Sequence, residues 1–198
     1  MAVLPEYILS SYNDLNQILT LFGMIAFGLS TLFAAILLYK EIRASRILKR
    51  AESEDPTWDE NNLKICARGT FYKVQNAFDT GDTRNLKDVT TVGFFPVLEA
   101  DIKNAANDRK TFSIGSVDIS ETNIICCKDY LKNDKDKFVA YIKGNLTEHN
   151  RQHDDSPILD EFSEIYYFVR HQDNWLLDKI DGSPKILDLL RINNYLEL

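Results

Sequence analysis

The amino-acid sequence predicts an α+β domain carried on one apolar helix, and three observations lead there. No Asp, Glu, Lys or Arg occurs between Leu15 and Tyr39. Apolar residues then recur every three or four positions from Leu63 to Phe78 and again from Phe95 to Ala105 or Ala106, which is the helical period. From Thr111 the period becomes two and holds to Ile180, the mark of half-buried strands. A block of helices followed by a block of strands argues for an antiparallel sheet with helices packed on one face.

Residues 1–17 form a short N-terminal segment, and "ILTLFGMIAFGLSTLFAAILLY" (18–39) follows as a transmembrane helix. At 1.5 Å per residue the run is roughly 33 Å long, enough for a hydrocarbon core of about 30 Å. A soluble core helix seldom stays uncharged on every face for six turns. A cleavable signal peptide fits poorly, because Glu6 and Asp14 precede the run without any Lys or Arg and the run exceeds the usual apolar length. Gly23 and Gly28 stand five apart, so they miss the four-residue spacing of close helix pairs.

Residues 40–56 read as a basic juxtamembrane segment and linker. "KEIRASRILKR" sets Lys40, Arg43, Arg46, Lys49 and Arg50 against Glu41. Positive flanks stay on the cytoplasmic or matrix side, so the C-terminal part is expected inside, at a bacterial inner (cytoplasmic) membrane or the mitochondrial inner membrane, with the N-terminus outside. Residues 1–39 carry −2 and residues 40–50 carry +4; with −7 for the whole chain, −9 remains for residues 51–198. Nucleic acid needs basic surface, so it is not an expected partner. The five cations suit a bilayer with an anionic inner leaflet, at about 1 kcal/mol each. The acidic domain should be repelled by that leaflet and stand off from it. "NLT" at Asn145 matches a glycosylation acceptor that an inside-facing domain never presents.

The domain proper is set at 57–198, beyond "AESEDP". Thr57 with Glu60 reads as a capping box for a helix ending near Gly81. A shorter helix fits "DTRNLKDV", and a third fits "FFPVLEADIKNAA" with Phe95, Leu98 and Ile102 inward. "FSIGSVDI" and "TNIICCKDYL" form one long or bent strand, "NDKDK" a turn, and "FVAYIKGNLTE" the returning strand. "EFSEIYYFVR" and "NWLLDKI" make a hairpin around "HQDN", and "KILDLLRINNYLEL" closes the chain as an amphipathic helix. The sum is about three helices, about four strands and a C-terminal helix. A long first strand has to bend, and a bent sheet curled round helices makes a cone.

The hairpin carries the cavity or docking candidates. Phe162, Glu164, Tyr166, Phe168 and Arg170 share one face, and Ile165, Tyr167 and Val169 the other. The first set is expected to fill the space between sheet and helices, with Glu164 and Arg170 as a structural pair or rim residues and Trp175 anchoring the last strand. A catalytic base at Glu164 would need an apolar site that raises its pKa, and a guanidinium on its face argues against that. Asp118 and Asp160 are weaker candidates. His149 and His153 lie in polar "EHNRQHDD" and read as a solvated loop, and His171 as an exposed turn residue. Cys66, Cys126 and Cys127 are odd in number and lack metal or redox spacing, with Cys66 on the apolar helix face and the other two on opposite sides of their strand. There is no Gly-rich phosphate loop. No enzyme activity, cofactor or metal is expected.

"DPTWDENNLKICARGTFYKVQNAFDTGDTRNL" resembles the opening of the Tim-forty-four-like (Tim44-like) domain, with its Asp-Pro-x-Trp/Phe element and following helix. "EFSEIYYFVRHQDNWLLDKI" is similar to that domain's closing hairpin, through Phe162, Glu164, Tyr166, Phe168, Arg170, Trp175, Leu177 and Ile180. The likeness covers residues 55–181. It implies a cone of the nuclear-transport-factor-two-like kind and a non-enzymatic scaffold at the inner face of an energy-transducing membrane. Mitochondrial members tether the import motor or hold the ribosome, and bacterial members are membrane-anchored. The helices that precede the domain in the import subunit are replaced here by a span, so docking to a membrane complex is carried over and motor tethering is not. The alternatives are a ligand-binding or catalytic cone, and a channel subunit of the type IV secretion kind, which places its basic flank before the span. Whether two copies associate is left open by the sequence.

Overall fold

The computed structural model describes residues 6–108, 112–150 and 158–197, and side chains over 17–105, 116–147 and 159–197. The chain runs α1 (Glu6–Glu52), α2 (Glu60–Thr80), α3 (Phe95–Asp108), β1 (Phe112–Asp129), β2 (Lys137–Asn150), β3 (Ile158–His171), β4 (Asn174–Gly182), α4 (Ile186–Arg191) and β5 (Tyr195–Leu196). The strands form one sheet in the order β4-β3-β2-β1-β5, antiparallel except for β5 beside β1. The α+β cone is as expected, with a fifth, two-residue strand added.

Period-two alternation sends β2 and β3 residues to opposite faces. On the concave face Phe138, Ala140, Ile142, Tyr166 and Phe168 meet Leu63, Ala67, Phe71 and Val74 of α2 and Leu98 and Ile102 of α3. On the convex face Val139, Tyr141 and Ile165 meet Leu37 of α1, Leu189 of α4 and Ile192. Bulges in β1 at Ile114/Ser116, Ile119/Glu121 and Ile124/Cys126 let so long a strand bend. Gly144 lies where strands and a ring converge. A Cβ there would sit 2.1 Å from the Asp118 carbonyl oxygen and 2.8 Å from the Phe162 ring.

Three local expectations are corrected. Thr57 does not cap α2. The Asp59 carboxylate accepts from the Asn62 N–H at 2.7 Å, while Asp55 caps a 3₁₀ turn over Pro56–Trp58. A carboxylate caps as well as a hydroxyl and adds charge complementary to the helix end, and Glu60 is engaged with Lys64 and Ser45 instead. "DTRNLKDV" makes a single 3₁₀ turn, Arg84–Leu86, because Asp82 accepts from the backbone and side chain of Arg84. The last helix stops at Arg191. Asn193 and Asn194 are poor helix formers, and the Asn194 side chain accepts the Cys127 N–H at 2.8 Å, leading into β5.

The helix that begins in the apolar run does not end with it. α1 continues unbroken through the basic stretch, and Ala44, Leu48 and Ala51 are buried at 0–2 % exposure. Where the sequence reading sets a linker, the structure has a helix packed on β1. The polar loop expected to hold His153 lies outside the described residues.

Candidate functional site at the helix–sheet junction

α1 crosses the β1 side of the sheet. Phe33, Ile36 and Leu37 pack with the convex face, and Ile47, Leu48 and Ala51 with the concave core. Between them Lys40 is turned inward, 7 % exposed, its Nζ donating to the Ile192 carbonyl. Of the five cations assigned to the membrane surface, Lys40 is therefore held by the C-terminal tail. Arg43, Arg46, Lys49 and Arg50 stay exposed on the side of α1 away from Ala44 and Leu48, as helical periodicity requires.

Beyond α1, Arg170 closes the junction. It is 5 % exposed, and its Nη1 lies 2.5 Å from Asp55 and 3.1 Å from Asp136. Its Nε donates to the Gln172 carbonyl at 2.9 Å. The segment after α1, the β1–β2 turn and the end of β3 are thus tied to one guanidinium. The expected pairing with Glu164 does not occur. Six residues along a strand separate the two by about 20 Å, whereas the register brings Val169 opposite Lys137, next to Asp136. Burial pushes the Asp136 carboxyl up despite its bonds to the Tyr130 N–H and Arg170. Asp55 is also pushed up by burial, but the Thr57 and Arg170 hydrogen bonds outweigh that and hold it below the usual range. Asp129, desolvated and facing Asp136, Glu54 and Asp55, is pushed up to about 6.

The other hairpin candidates line the cone interior. Rings run from Trp58 to Trp175 (4.9 Å), Phe138 (4.9 Å), Phe168 (4.4 Å), Tyr166 (6.4 Å), Phe71 (5.9 Å) and Phe162 (5.2 Å). Trp175 anchors β4 through this chain. Glu164 lies beside it and is half-buried: its Oε2 and the Tyr166 hydroxyl are enclosed without a well-formed hydrogen bond, yet near enough to perturb one another. Burial raises the Glu164 carboxyl, and the Tyr166 hydroxyl offsets part of this. Cys126 and Cys127 face opposite sides, as alternation demands, and desolvation pushes both thiols up. Cys66 is half-buried against the core and His171 is exposed. Among the described residues no three His, Cys, Asp or Glu side chains come together as metal ligands.

Sequence reading gave Asp55 a place in the Asp-Pro-x-Trp element but no partner, and missed Asp136 and the Lys40–Ile192 contact. Asp55 did carry a signal, since it ends a polar stretch just before Pro56; the other two depend on contacts far apart in the chain. Among the described residues, grooves remain open on the convex side. One, of about 320 Å³, lies over β2–β4 beside α4, with Lys128, Lys137, Lys179 and Arg191 near Asp181 and Asp188. Another, of about 460 Å³, lies between Ser30–Glu41 of α1 and the strands, with Tyr141, Lys143 and Glu161.

A curved sheet closed over helices and mounted on a helix long and apolar enough to cross a membrane defines a membrane-associated cone domain. The family model of the Tim44-like domain matches residues 44–182, and the chain belongs to that family. The match begins at Ala44, which is fully buried in α1, and ends at Gly182, the last residue of β4. The structure is similar to the crystal structure of the intermembrane space region of chloroplast protein ARC6, with a TM-score of 0.49 and 8 % identity, covering 63 % of this chain and 95 % of that one. No curated protein matches the sequence.

Proposed function

We propose that the protein is a single-pass scaffold whose Tim44-like domain docks, as an accessory subunit, onto a larger complex of membrane proteins. One observation carries this reading: α1 passes from exposed apolar helix into the domain core with no break. A domain fused in this way transmits the position and tilt of its anchor, which is what a bracket between bilayer and partner needs. The exposed cations Arg43, Arg46, Lys49 and Arg50 favour the interior side of a bacterial or mitochondrial inner membrane, because positive flanks are retained there. The interior of the cone is occupied by aromatic rings, so the docking face is external, and the acidic domain surface favours basic partner surfaces over nucleic acid.

The test is extraction of tagged full-length protein in mild detergent, followed by identification of co-purifying chains. A stoichiometric integral-membrane partner is the expected result, and a free monodisperse protein at native expression level would overturn the docking role. Protease treatment of sealed vesicles checks the orientation independently. The second reading, a ligand-binding or catalytic cone, draws on the enclosed Oε2 of half-buried Glu164 and the buried Tyr166 hydroxyl. It requires a small molecule retained by the wild type and lost by Glu164→Gln.

A further inference from the structure

The apolar run of α1 ends at Tyr39, but contact with the domain already begins at Phe33. Six helical rises separate the two, about 9 Å. The headgroup layer on one side of a bilayer is of comparable depth, about 5 to 8 Å. No stalk fits between them. With α1 across the membrane, the convex face next to Phe33–Leu37 is level with the last turns of the apolar run, at the boundary between acyl chains and headgroups.

The element at that level is α4. Ser183, which leads into it, shares a groove with Ser30 and Phe33. Leu189 packs in the cluster that holds Leu37, and Ile192, just past its end, accepts from Lys40. α4 therefore lies alongside Ser30–Lys40. Its outward residues are Leu187 and Leu190, 64 % and 51 % exposed, flanked by exposed Lys185 and Arg191. Exposed leucines are costly in water and favourable at a lipid interface, where each buried methylene contributes about 0.8 kcal/mol.

We infer that α4 is an interfacial membrane contact: Leu187 and Leu190 enter the acyl boundary of the bilayer that α1 spans, and the domain rests on that surface. This rests on the reading of α1 as a span, and it replaces the expectation that an acidic domain stands off. The face around α4 carries Glu41, Glu121, Glu161, Asp181 and Asp188 interspersed with Lys128, Lys137, Lys143, Lys179 and Arg191, a near balance that gives no net pull toward anionic lipid. The covalent tether and the two leucines hold it there, and the contact forms on zwitterionic lipid.

The experiment uses the full chain in phosphatidylcholine vesicles containing shallow spin-labelled phosphatidylcholine. Fluorophores are placed on single cysteines introduced at Leu187, Leu190, Leu21 and Val92 in a Cys66→Ala background, since Cys126 and Cys127 are buried. Val92, 94 % exposed on the loop before α3, is the aqueous reference. Labels at 187 and 190 should be quenched several-fold more than the label at 92. If 21 is quenched while 187 and 190 behave like 92, α1 spans and the α4 contact is wrong. If 21 also behaves like 92, the span itself fails and the inference falls with it. Because all four positions are exposed, the labels leave the core intact, which an unchanged melting temperature verifies.

Discussion

The two faces of the sheet use the same strands differently. The concave face is sealed: Tyr166, Phe168 and Phe138 are each 0 % exposed and sit in a continuous chain of rings. Among the described residues, α1 and α4 cross the convex face, and beside them it keeps open grooves and mixed charge. Period-two geometry makes this division possible, because alternate residues of one strand answer to different surroundings. Stability is concentrated on one face and attachment on the other.

Five measurements test that contrast, in falling order of effect. Gly144→Ala, on the concave side, forces a Cβ against the Asp118 carbonyl and should leave little folded protein, as read by limited proteolysis. Tyr166→Ala should lose about 3–5 kcal/mol including the cavity term, whereas Tyr167→Ala, one residue on and half-buried on the convex face, should lose about 1 kcal/mol. Equal losses in thermal melts would erase the distinction between faces. Arg170→Met strands the buried Asp136 carboxylate and should cost about 3 kcal/mol, with proteolytic sensitivity appearing first near Asp55.

The fourth measurement concerns pH. The Asp129 carboxyl is raised from 3.8 to about 6 in the folded state, so the folded protein binds that proton more tightly than the unfolded chain. The stability this contributes is present below 3.8 and is lost as pH rises through about 6. Asp129→Asn should therefore gain in melting temperature relative to wild type as pH rises across that window, and a constant difference would remove Asp129 as the cause. Last, Lys143→Ala breaks the 3.4 Å pair with Glu161 on the exposed convex rim and should change stability by less than about 0.5 kcal/mol.

Much of the fold was legible in the chain. The change from helical to strand period near Thr111 marks where helices give way to sheet, and the division of Phe162, Tyr166 and Phe168 from Ile165 and Tyr167 between two faces is the one observed. Errors gathered at element ends, where side-chain hydrogen bonds decide: Asp59 rather than Thr57 caps α2, and Asn194 joins β1 rather than continuing α4. At the junction, Glu164 and Arg170 looked paired because both lie on one face, but sharing a face says nothing about distance along it.

Local pattern alone determined that an uncharged apolar run lies between Leu15 and Tyr39 and that an alternating aromatic hairpin belongs to a half-buried sheet, because periodicity and hydropathy are properties of neighbouring residues. Which carboxylates meet Arg170, how far α1 penetrates the domain, and that α4 lies beside the apolar run were decided only in three dimensions. Those contacts join residues up to 152 positions apart, and strand register and helix crossing, not sequence spacing, set which of them come within reach.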